Sequence, residues 1–120
     1  MQAGRELDAL VAEKVFGWKG CRLGTGGVQQ NFQDWYGHDP SRPERSYWYV
    51  PHFSTEIDPA MRVAEKMRDD RGMSMEQRID GGWAVQCPSW YRNSEWTVHA
   101  ELPAAICLAA LKAVGVEVPA

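Results

Sequence analysis

The apolar positions Leu7, Leu10, Val11 and Val15 recur three or four residues apart, which is the stripe of an amphipathic helix over residues 5–16. Asp8, Glu13 and Lys14 are expected mostly off that stripe. Gly17 stands where a left-handed cap carries no steric penalty and ends the helix. Trp18 is then expected to fold back on the core. The period is lost over residues 19–45, where Gly20, Gly24, Gly26, Gly27 and Gly37, with Pro40 and Pro43, break any long element. The expectation there is an irregular, insertion-like loop with at most a short edge strand at residues 21–23. A loop of that length in a small domain is usually functional or mobile.

Regular patterning resumes at residues 46–51, a strand dense in aromatic and β-branched side chains. A second helix follows, with two possible starts: Ser54 as N-cap, or Asp58 as N-cap with Pro59 at the first helical position. Its apolar stripe is Ile57, Ala60, Met61, Ala64 and Met67. Residues 75–79 and 83–87 flank Asp80-Gly81-Gly82, a strong hairpin signal, and a further strand is expected at residues 95–99. The last helix lies between Pro103 and Gly115. With Lys112 as its one charge and many alanines, it must pack on more than one side. This order predicts an α+β domain: an α/β/α layered sandwich with a small, mostly antiparallel sheet covered by three helices.

Composition narrows the class. A chain of 120 residues, 44% hydrophobic and 24% charged, is that of one globular domain over residues 1–120. Thirteen Lys and Arg against sixteen Asp and Glu give a net charge of −3, which argues against duplex nucleic acid as a partner. One small anion, needing only a few local arginines, is still allowed. No apolar run approaches the roughly 20 residues that span a bilayer. Arg5, Glu6, Asp8 and Glu13 are unlike a secretory leader, so no membrane association is expected. Cys21, Cys87 and Cys107 are isolated from one another, which favours reduced thiols and a cytoplasmic address.

The residues that could carry chemistry divide unevenly. No nucleophile elbow or papain-like surround marks a catalytic serine or cysteine, so no catalytic residue and no enzyme activity is expected. His38 with Asp34 and Asp39 is a local group of possible ligands in a polar loop, but tight Cys or His pairs are missing and no metal is expected. Gly24-Thr25-Gly26-Gly27 lacks the Lys-Ser/Thr of a phosphate-binding loop, so no cofactor is implied. The six Trp and four Tyr are more informative. Trp35 and Tyr36, Arg45 ahead of Tyr47-Trp48-Tyr49, and Trp90-Tyr91-Arg92-Asn93 set ring faces beside guanidinium groups. A nucleobase gains about 1–3 kcal/mol from stacking on such a ring, and a phosphate is met by the Arg fork. Trp18, Trp48 and Trp83 are assigned to packing. The candidate ligand-binding residues are therefore Trp35, Tyr36, Arg45, Trp90, Tyr91, Arg92 and Asn93.

Three segments add a resemblance. Residues 7–15 with Gly17-Trp18, residues 50–57 leading into Ala64-Glu65-Lys66, and residues 105–113 together resemble the phage ABA sandwich domain family. The resemblance runs through nearly the whole chain in the family's order, and the last segment is its most specific part. It implies an α/β/α sandwich, a phage or prophage origin and the cytoplasm of an infected bacterial host, and it implies no catalytic residues. The chain departs from shorter members over residues 24–45. By analogy with phage accessory proteins that counter host defence, the expected role is non-enzymatic. The protein would bind and sequester a small anionic, nucleotide-like immune signal of the cyclic nucleotide or cyclic ADP-ribose type, as a homo-oligomer. The alternative is a protein-binding module that inhibits or scaffolds a host or phage protein, because Trp, Tyr and Arg are also the anchors of protein interfaces.

Overall fold

The computed structural model describes residues 3–25, 33–42, 47–89 and 95–116. Helix α1 (Arg5–Lys14) buries Leu7, Val11 and Ala12 completely, as the apolar spacing requires. Gly17 adopts φ 73°, and the Trp18 backbone N–H donates to the Ala12 carbonyl at 2.9 Å. The Trp18 ring thereby returns to the core. Asp8 departs from expectation: it is fully buried rather than turned away. A carboxylate tolerates that position only when its oxygens are satisfied, and two partners do so. Arg5 Nη1 donates to Oδ2 at 2.8 Å, and the Ser54 backbone N–H donates to Oδ1 at 2.7 Å.

The stretch expected to be irregular carries two strands, β1 (Lys19–Thr25) and β2 (Gln33–His38). With β3 (Trp48–Tyr49) they form an antiparallel sheet in the order β1-β2-β3. The glycines here do not break strands. Gly20, at φ 65°, sits where the β1–β2 register shifts, the place a bulge needs a left-handed residue. Gly37 lies under Cys21 and Trp18, where a Cβ would stand 2.5 Å from Sγ and 3.0 Å from the indole. It is glycine because no side chain fits.

Helix α2 (Ile57–Asp70) starts after an extended Glu56, so neither Ser54 nor Asp58 is its N-cap. Pro59 occupies the third helical position, whose N–H would have no helical acceptor in any case. The buried face is Ala60, Val63, Ala64 and Met67, whereas Ile57 and Met61 are 46% and 39% exposed. The true stripe is thus rotated from the expected one toward Val63.

A second antiparallel sheet, in the order β4-β5-β6, comprises β4 (Ser74–Gln77), β5 (Trp83–Gln86) and β6 (Trp96–His99). Its hairpin turn takes Gly81 and Gly82 to φ 91° and 88°. Helix α3 (Leu102–Ala113) has Pro103 in its first turn and ends before Gly115 at φ 85°. It packs against α1, α2, β5 and β6, which accounts for its apolar sequence on every side. Ile106 and Leu111 are fully buried, each contributing about 1.5–3 kcal/mol. The architecture is the expected α+β sandwich, with its antiparallel strands divided between two three-stranded sheets. No helix among the described residues is long and apolar enough to cross a membrane.

Candidate functional site

One arginine organises the surroundings of the site. Arg5, in the first turn of α1, donates through Nε to Asp34 at 2.8 Å and through Nη1 to Asp8 at 2.8 Å. Its Nη2 donates to the Val50 carbonyl at 2.6 Å. The planar guanidinium fork makes such multiple contact possible, and lysine could not reproduce it. Ser54 closes the arrangement: its Oγ accepts from the Gly4 N–H at 2.9 Å while its own backbone N–H is held by Asp8. The start of α1, the start of β2 and the chain leaving β3 are thus tied together.

Beside this clamp lies a groove of about 250 Å³, a little below the roughly 300–1,000 Å³ of most small-molecule sites. Phe16 and Trp18 from the segment just after α1, with Phe53 and Tyr49, give it aromatic walls. Phe16 and Phe53 stack with centroids 5.2 Å apart and planes at 16°. Trp18 and Phe53 are buried floor residues, whereas Tyr49 is 52% exposed. The polar side is formed by residues 39–42 and by Arg62 of α2. Arg42 lies over the Trp48 indole at 4.1 Å and places Nε 3.5 Å from Asp39 Oδ2. Asp39 Oδ1 accepts from the Ser41 N–H at 2.9 Å and from Ser41 Oγ at 2.7 Å. Arg62 is exposed and pairs with no described residue. Among the described residues, two guanidinium groups against one carboxylate make the groove lining positive, in a chain whose net charge is −3. It can therefore hold a flat ring and an anionic group together.

Tyr49 also belongs to the outward face of the first sheet. Arg22, Tyr36 and Tyr49 occupy paired positions and so share that face. Tyr36 and Tyr49 are tilted ring neighbours at 4.7 Å, and Arg22 lies 4.9 Å from the Tyr47 ring centre. Tyr49 beside it, with desolvation adding, pushes the Tyr36 hydroxyl up to about 12.

Of the residues singled out in the sequence, two fall within the described structure. Trp35 is half-buried and packs against the core, its carbonyl accepting the Val50 N–H at 3.0 Å. Tyr36 lies on the outward sheet face, beside Tyr49 rather than in the groove. Arg45, Trp90, Tyr91, Arg92 and Asn93 lie outside the described residues. Sequence reasoning passed over Phe16, Arg42, Phe53 and Arg62, and took Asp39 only as a loop ligand. A signal for part of this existed: Asp39-Pro40-Ser41 is an Asx-turn sequence, and it delivers Arg42 to the groove.

The cysteines offer no activated nucleophile. Burial, with Glu13 adding to it, pushes the Cys21 thiol up to about 11. Burial also raises Cys107, with Asp8 adding, and Cys87 against the opposing pull of Arg71. Among the described residues, no group of three His, Cys, Asp or Glu side chains is placed to hold a metal ion.

Comparison with known proteins places this geometry in a family setting. The model of the phage ABA sandwich domain matches residues 9–111. The crystal structure of a phage protein from Bacillus cereus ATCC 14579 superimposes with a TM-score of 0.69 and 20% sequence identity, covering 99% of this chain and 93% of that one. At that identity the likeness is one of fold. No curated protein matches the chain significantly.

Proposed function

This chain belongs to the phage ABA sandwich domain family, and from that premise we propose that it is a non-enzymatic phage protein that binds a small, anionic, nucleotide-like ligand. The observation that carries the reading is the groove in which exposed Tyr49 and the Phe16–Phe53 stack stand beside Arg42 and Arg62. A base stacked on one ring gains about 1–3 kcal/mol. Arg62 has no competing partner among the described residues and supplies charge-assisted hydrogen bonds to a phosphate. The role we assign to this binding is sequestration of a cyclic nucleotide or cyclic ADP-ribose signal of host defence by a homo-oligomer. Sequestration needs affinity and abundance and no bond-making step. Arg45 and Trp90 to Asn93 belong to the same proposal as further contacts to the ligand.

Native mass spectrometry of the purified protein with a panel of cyclic nucleotides and cyclic ADP-ribose isomers tests it. A defined oligomer that gains the intact mass of one panel member supports sequestration. Turnover of a panel member, or indifference to all of them, overturns it.

A second reading has its own observation. The outward face bearing Arg22, Tyr36, Tyr47 and Tyr49 is rich in the residue types that anchor protein interfaces, and Tyr47 and Tyr49 are about half exposed. Under that reading the protein inhibits or scaffolds a host or phage protein. Tyr47→Ala with Arg22→Ala would then abolish capture of a specific partner while leaving nucleotide mass uptake absent in both forms.

A further inference from the structure

We infer that Asp39 accepts a hydrogen bond from the ribose 2′-hydroxyl of a bound nucleotide, so that the groove distinguishes ribonucleotides from their 2′-deoxy counterparts. The inference rests on the ligand-binding reading above and deepens it. The Asp39 side chain is only 11% exposed, yet it lines the groove. Its two oxygens are unequally occupied. Oδ1 accepts two bonds from Ser41, from the backbone N–H at 2.9 Å and from Oγ at 2.7 Å, which uses both of its lone pairs. Oδ2 has Arg42 Nε at 3.5 Å, well beyond the roughly 2.7–2.9 Å of a charge-assisted N–H···O bond. Among the described residues, acceptor capacity therefore remains on one oxygen of a nearly buried carboxylate.

That asymmetry limits what can fill it. A phosphate is repelled by Asp39 and is directed to Arg62. The Watson–Crick edge of guanine, which offers two parallel N–H donors, needs both carboxylate oxygens, and Oδ1 is already engaged. A hydroxyl donating to Oδ2 needs one oxygen alone. In a nucleotide whose base lies on Tyr49, the sugar is the part that connects ring and phosphate and carries such hydroxyls. Leaving the acceptor unmet by a deoxy sugar costs binding, because a site built to hydrogen-bond a hydroxyl discriminates against the analogue lacking it.

Isothermal titration of the full chain with 5′-AMP and 3′,5′-cyclic AMP, each against its 2′-deoxy counterpart, and with the matching guanine set, tests this directly. The expected result is a tenfold or larger preference for the ribonucleotide of whichever base binds. In Asp39→Asn the preference should fall to threefold or less. Equal binding of ribo and deoxy forms by the unaltered protein overturns the inference and leaves the groove reading intact. So does a preference that survives Asp39→Asn in protein whose thermal melt is unchanged. Failure of every nucleotide to bind at millimolar concentration overturns both. The comparison within the unaltered protein stands even if the variant does not fold.

Discussion

Arg5 and Asp8 form an ion pair at 2.8 Å, one helical turn apart, in which the carboxylate has no solvent exposure at all. Asp8 also holds the Ser54 N–H, so its charge is spent on joining α1 to the chain that leaves β3. Removing one member of a buried pair leaves the other charged and uncompensated, at a cost of about 3–5 kcal/mol. Arg5→Ala should therefore unfold at markedly lower urea concentration, whereas Arg68→Ala, whose pair with Asp69 is largely exposed, should be near neutral. Equal midpoints for the two variants would contradict the clamp.

The groove separates its two arginines by what already holds them. Arg42 is stacked on Trp48 and faces Asp39, whereas Arg62 is held by no described residue. Arg62→Ala should weaken nucleotide binding by about tenfold, about 1.4 kcal/mol, with no change in melting temperature. Arg42→Ala should weaken binding and also lower stability, by about 0.5–1 kcal/mol for the lost cation–π contact. Titration calorimetry and thermal denaturation on the same samples separate the two effects.

Gly37 admits a sharper packing test. A Cβ there would meet Cys21 Sγ and the Trp18 ring, while one at Gly24 would meet the Tyr36 ring at an ordinary 3.7 Å. Gly37→Ala should cost about 1–3 kcal/mol as an overpacked site. Gly24→Ala should cost distinctly less. Urea midpoints of the two variants decide the matter.

The same glycine shows why part of the fold could be read in the sequence and part could not. Leu7, Val11, the Asp80-Gly81-Gly82 turn and the alanine-rich last helix each advertise themselves by local spacing, and each lies where that spacing puts it. Tyr47 and Tyr49 alternate with Trp48, and the structure exposes the first two and tucks the third toward the core. Gly20 and Gly37 read as strand breakers because the register shift and the overlying Trp18 that call for glycine belong to tertiary structure. Asp8 is the same kind of case: its burial depends on Ser54, 46 residues away. The groove was hidden for a related reason. Phe16, Asp39, Tyr49 and Arg62 come from four separate segments, and none has a spacing to announce it.

The thiols give a pH-dependent prediction. Cys21 titrates in the unfolded chain near 9.0 and is held up to about 11 when folded, by burial and then by Glu13. Below pH 9 both states keep the proton, and the full stability is present. As pH rises from 9 toward 11 the unfolded state releases its proton first, so stability falls across that window. Urea unfolding at pH 8, 9.5 and 11 should show the decline, and Cys21→Ala should flatten part of it. Because the thiolate is the reactive species, native protein at pH 8 should also react with Ellman's reagent far more slowly than urea-unfolded protein. Labelling of Cys21 as fast in the native state as in the unfolded chain would show that its thiol gains no shielding from its half-buried place over Gly37.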